Sequence, residues 1–113
     1  MKSKYLDEIT KLLDQAYPRF AIEHRIEFKN CFGAIAGYVD GKIFISCGKF
    51  GVALKLPGEI LDDLFKEKDV THLQYFPKGH IKKEYAVLPR RITGNKRHFG
   101  ELINRSIQFV KHN

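Results

Sequence analysis

The sequence predicts an α+β fold: a two-layer sandwich in which a mostly antiparallel sheet of about five strands carries helices on one face. Four apolar-rich segments follow one another through the first half of the chain, joined by short Gly-containing turns, and such runs pair as an antiparallel meander. Segments with helical apolar spacing flank this run and recur at the C-terminal end. The chain has 113 residues, 43% of them hydrophobic, which suits one core and leaves too little for two. The expected order is α-β-β-β-β-α-β-α within a single domain, residues 1–113.

Each element has its own local cause. Ser3 is an N-cap for a first helix running to about Ala16, whose Leu6, Ile9, Leu12, Leu13 and Ala16 share one face. Tyr17-Pro18 ends it, because the residue before proline is pushed out of the α region. Ile22, His24, Ile26 and Phe28 then alternate with Glu23, Arg25, Glu27 and Lys29, as in a half-buried strand. Cys31-Phe32-Gly33 interrupts the alternation and Ala34–Val39 resumes it as a second strand. Asp40-Gly41 is the strongest turn signal, since both central residues of a type I′ turn need positive φ. A Cβ at Gly41 would cost ~1 kcal/mol there, and Gly33 and Gly79 are expected to be structural as well.

Lys42–Cys47 is the third strand; Gly48-Lys49-Phe50-Gly51 turns into the fourth, Val52–Leu56. Pro57-Gly58 opens a second helix over about Glu59–Lys68, with Ile60, Leu61, Leu64 and Phe65 as its core stripe. Its acidic Glu59, Asp62 and Asp63 lie early and Lys66 and Lys68 late, complementing the helix dipole. Tyr75-Phe76-Pro77-Lys78-Gly79 is a turn, and Glu84–Leu88 a short fifth strand stopped by Pro89. A last helix over about Asn95–Lys111 buries Phe99, Leu102, Ile103 and Val110 and exposes a Glu101–Arg105 i,i+4 pair.

No apolar run approaches the ~18 residues of a membrane span, and the N-terminal residues lead into no signal-peptide stretch. Two cysteines make no disulfide framework, so a reducing cytoplasm is expected. The formal charge is +7 and unevenly spread. Residues 77–113 hold nine Lys/Arg against Glu84 and Glu101, whereas the preceding part is neutral. Clustered positive charge points to an anionic partner, nucleic acid or an acidic protein surface, or simply to a solvated face. Lys78, Lys82, Lys83, Arg90 and Arg91 are the candidate anion- or partner-binding residues, expected to gather at the two ends of the fifth strand. Beside them, Tyr75, Phe76 and Tyr85 add ring faces, and stacking plus charge is the physics of single-strand nucleic-acid contact.

A search for catalytic chemistry finds nothing. Gly37 to Ile43 has one spacer too few for a phosphate loop and an Ile where Ser or Thr belongs. Cys31 and Cys47 lack a C-x-x-C partner and the five His are scattered, so no metal set forms. His24 is expected as a hydrogen-bonded core histidine, and Cys31 as a small buried hydrophobe. Asp62 and Asp63 point about 100° apart on a helix and do not converge as an acid–base pair. No catalytic, cofactor or metal residue is assigned.

Several short motifs recur in a fixed order. Lys29-x-Cys31-Phe32-Gly33-x-Ile35-Ala36 is followed by Val39-Asp40-Gly41-Lys42-Ile43-Phe44 and Ala53-Leu54-Lys55-Leu56-Pro57. Tyr75-Phe76-Pro77 and Lys82-Lys83-Glu84-Tyr85-x-Val87-Leu88-Pro89 complete the series. In this the chain resembles the N-terminal domain of the TfoX/Sxy competence regulators, from about Ile22 to His112. That family usually reads Met-Phe-Gly-Gly where Cys31-Phe32-Gly33-Ala34 stands here. The resemblance implies an α+β fold, Phe32, Gly33, Asp40 and Gly41 as the structural motif, no enzymatic activity, and a bacterial regulatory role.

The leading expectation is therefore a non-enzymatic binding module acting through a protein partner. Nucleic-acid binding through the basic last third is the first alternative, and a small-ligand or hydrolytic domain the second. Homodimerisation is a further expectation, because an open meander leaves sheet edges to cover.

Overall fold

Alternating patterning in the first half of the chain becomes a continuous antiparallel ladder in a computed structural model that describes residues 4–19 and 23–112. Strands β1 (Ile26–Cys31), β2 (Ala34–Val39), β3 (Lys42–Gly48) and β4 (Gly51–Lys55) form the meander. Strands β5 (Thr71–Leu73) and β6 (Lys82–Leu88) extend it, giving six strands in the order β1-β2-β3-β4-β6-β5. The helices are α1 (Lys4–Ala16), α2 (Gly58–Leu64), α3 (Arg90–Thr93) and α4 (Lys96–Lys111). The α+β class and the helix–strand order agree with the sequence expectation; β5 and the single-turn α3 are additions to it. Among the described residues no helix is long and apolar enough to cross a membrane.

Ser3 and Ile22 lie outside the described residues. The first strand begins only at Ile26, because the Glu23 N–H closes a helical bond onto the Arg19 carbonyl at 2.9 Å. From there Ile26 and Phe28 are half-buried while Glu27 and Lys29 face water, as the alternation requires. His24 is half-buried, within reach of Tyr17 Oη (3.4 Å) and Lys111 Nζ (3.5 Å). Helix α2 is shorter than expected: after Leu64 the chain tightens into i→i+3 bonds, Lys66 to Asp63 and Glu67 to Leu64. The expected Glu101–Arg105 pair is replaced by Arg97–Glu101 at 3.7 Å and Arg105–Glu59 at 3.9 Å. The first is an equivalent i,i+4 pair one turn earlier; the second draws Arg105 across to α2.

One face of the sheet carries the main core. Ile35, Val39, Ile45, Cys47, Val52, Leu54, Ala86 and Leu88 meet Ile9, Leu13, Phe99, Ile103, Ile107 and Val110 of the helices. A bulge supplies one further large side chain. Gly37 pairs with Ile45 but Tyr38 with Ile43, so Phe44 is the extra residue and turns to the same core as Ile45. Beyond Ile45↔Leu54 the β3–β4 ladder stops, and the carbonyls of Phe44 and Lys55 turn to the Ser106 hydroxyl of α4 at 3.1 and 2.6 Å. Ser106 is fully buried, so its single proton serves two carbonyls that the bulge takes out of the ladder.

Candidate functional site

Among the described residues no helix packs on the other face of the sheet. Its register neighbours are Lys29 and Ala36, Ser46 and Ala53, Lys55 and Tyr85, with Val87 beside Ala53. Ala36, Ser46 and Ala53 are small, and across this floor the chain following β5 returns. Tyr75 reaches over β6 and β4, and its hydroxyl shares a 3.0 Å hydrogen bond with Ser46 Oγ on β3. Its ring joins Ala53, Leu73, Tyr85 and Val87 in a second, smaller apolar cluster. Burial pushes the Tyr75 phenol up to about 12, the Ser46 hydrogen bond partly opposing it. Burial raises the Tyr85 phenol as well. Both stay uncharged near neutrality.

The turn that follows is braced. Gly79 N–H donates to the Phe76 carbonyl at 2.9 Å, and Gln74 Nε2 donates to the carbonyls of Pro77 (3.1 Å) and Gly79 (2.7 Å). A turn held this way projects Phe76, 52% exposed, toward the β1–β2 connection.

That connection is a two-residue hairpin at Phe32-Gly33, with φ of 51° and 82°. Asp40-Gly41 at the opposite end of β2 has nearly the same values, 49° and 81°, as its sequence predicts. Both pairs are type I′ by these signs, and Asp and Gly are what such a turn prefers. A bulky phenylalanine in the left-handed region is a genuine outlier. Phe32 is also 69% exposed, so most of its surface stays open to solvent. Strain kept at an exposed aromatic residue is a mark of a position held for contact.

Phe32 meets Phe76 and Tyr75 edge-on, with ring centroids 5.4 and 5.6 Å apart, and Phe50 meets Tyr75 at 5.5 Å. The rings separate two adjoining clefts. One, of about 190 Å³, is lined by Phe32, Tyr75, Phe76, His80 and Lys82. The other, of about 370 Å³, lies between Phe32, Phe50, Tyr75, Phe76 and Lys49. Among the described residues no carboxylate lines either cleft.

The sequence-predicted cations divide into three groups. Lys82 lines the smaller cleft and Lys78 sits exposed on the turn that carries Phe76; Lys83 is exposed on β6. Arg90 lines a separate cavity of about 330 Å³ with Lys4, Glu8 and Lys49. Arg91 is committed elsewhere: its guanidinium holds Asp69 and Glu67 at 2.6 Å each. The hydrogen bond from Arg91 holds the Asp69 carboxyl below its usual range, and the same contact raises the guanidinium. The single positive edge expected from Lys82, Lys83, Arg90 and Arg91 is thus not assembled, because the chain after Glu67 returns to neutralise Arg91.

Cys31 is half-buried beside this face and Cys47 is buried on the helix side. The Cys47 thiol donates to Glu8 Oε2 at 3.6 Å, and burial, reinforced by that carboxylate, pushes it up to about 12. Among the described residues no three His, Cys, Asp or Glu side chains converge as a metal set. Sequence reasoning named Phe32 only as part of a structural motif and missed Phe50 and Lys49. The one available signal was a phenylalanine ahead of Gly33 where two strands meet.

Fold and site define an α+β domain whose helix-free sheet face ends in a ring-lined, carboxylate-free cleft. Comparisons with models of known families, with curated proteins and with solved structures give no match.

Proposed function

We propose that this chain is a non-enzymatic binding module working in cytoplasmic regulation in a bacterium, as its resemblance to the TfoX/Sxy N-terminal domain implies. Its working surface on this reading is the cleft around Phe32. The observation that carries it is Phe32 itself: a left-handed turn position, where Asn or Gly would sit with less strain, holds a largely exposed ring against two others. Exposed rings held in place in this way serve as anchors for a partner, since aromatic side chains carry much of the energy at binding surfaces. The test is affinity capture on immobilised wild type, Phe32→Asn and an Arg97→Ser control, with retained protein and nucleic acid both analysed. A species held by wild type and control but lost with Phe32→Asn supports the reading. Identical retention on all three columns refutes it.

A further inference from the structure

Away from the cleft, Arg91, Arg97, Arg105 and Lys111 each stand within 4 Å of a carboxylate: Asp69 and Glu67, Glu101, Glu59 and Asp40. Lys49 and Lys82 line the clefts and Lys78 sits exposed on the turn that carries Phe76; among the described residues none of the three has a carboxylate at ion-pair distance. Part of the +7 charge, three lysines, therefore stands unpaired around the exposed rings. Rings without cations would suit an apolar peptide, and cations without rings any polyanion. The two together match a ligand that alternates flat faces with negative charge.

Resting on the reading of the cleft given above, we infer that its occupant is a single-stranded nucleic acid. One base stacks on the open face of Phe32 or Phe76, and flanking phosphates meet Lys49, Lys78 and Lys82. Sequence preference is not expected, because every base has a π-face and no side chain with the paired donors and acceptors of base readout lines the cleft. The size is consistent: clefts of about 190 and 370 Å³ on either side of the rings leave room for a base and its neighbour.

Fluorescence anisotropy on the full chain tests this with four labelled probes. These are an oligothymidylate of about twelve nucleotides, an abasic strand of equal length, oligoglutamate, and an acidic peptide containing Phe and Tyr. The inference expects the base-bearing strand to bind tightest, with Phe32→Asn weakening it roughly ten-fold, within the range of one lost stack. Three phosphate contacts give a log–log salt slope near about −2, so raising salt from 50 to 200 mM weakens binding roughly fifteen-fold. A Lys78→Ser, Lys82→Ser variant should flatten that slope toward about −1. Equal binding of the abasic strand or oligoglutamate overturns the inference, as does failure of the oligothymidylate to bind at low salt. Tighter, Phe32-dependent binding of the acidic peptide also overturns it while leaving the cleft as the working surface. Indifference of every probe to Phe32→Asn removes the cleft reading itself.

Discussion

Replacing Phe32 separates what the ring contributes from what its backbone costs. The residue is 69% exposed, so folding hides about a third of it. A third of the ~200 Å² a phenylalanine offers is ~60 Å², which at ~25 cal/mol/Å² stabilises by ~1.5 kcal/mol. Its edge contacts with Tyr75 and Phe76 add ~0.5 kcal/mol or more. Against this stands the left-handed backbone at φ 51°, which costs a side chain bearing a Cβ ~1 kcal/mol and asparagine less. Phe32→Ala loses the ring and keeps the strain, so it should destabilise by ~2 kcal/mol. Phe32→Asn loses the same ring and relieves the turn, so it should cost only ~1 kcal/mol. Urea unfolding followed by far-UV circular dichroism resolves a gap of that size. An alanine variant as stable as the asparagine variant would refute the strained-turn argument. A loss of ~4 kcal/mol in both would make Phe32 a core residue instead of an exposed contact.

Ser106→Ala leaves the Phe44 and Lys55 carbonyls without their donor in the core and should cost ~1–3 kcal/mol; a change below ~0.5 kcal/mol by urea titration would show that another group satisfies them. Gly100→Ala, which in an open helix would stabilise by ~1 kcal/mol, should instead lower the melting temperature, because a Cβ there meets the Ala16 carbonyl at the end of α1. A higher melting temperature would mean the two helices are not in such close contact. Arg91→Gln should destabilise in a pH-dependent way. The Asp69 carboxyl is lowered in the folded state, so its contribution is complete above the ordinary carboxylate pKa near ~4 and is lost as pH falls through the folded value. The melting difference between variant and wild type should therefore be present at neutral pH and shrink as pH falls below the ordinary carboxylate range; a constant difference would assign the effect to packing.

The sequence by itself determined those features whose causes are local. Asp40-Gly41 makes its turn from two residues, and the observed φ of 49° and 81° follow from their chemistry alone. Pro18 and Pro89 end or redirect elements through the proline ring, and Asn95 caps α4 by accepting from His98 N–H at 3.1 Å. Helix α1, strands β2–β4 and α4 were legible to within about a turn because apolar periodicity repeats several times in each. Strand β5, three residues long, and α3, four, are too short for any period to register. Only the tertiary structure decided that Arg91 is neutralised, because the Glu67 and Asp69 that claim it lie 24 and 22 residues away in the chain. It decided the bulge at Phe44 as well, since that depends on a hydroxyl 62 residues further on. The cleft belongs to the same kind: Phe32, Phe50 and Tyr75 come from three connections of the sheet, and no local pattern relates them. Backbone conformation answers to neighbours in the chain, whereas charge pairing and ring contact answer to neighbours in space.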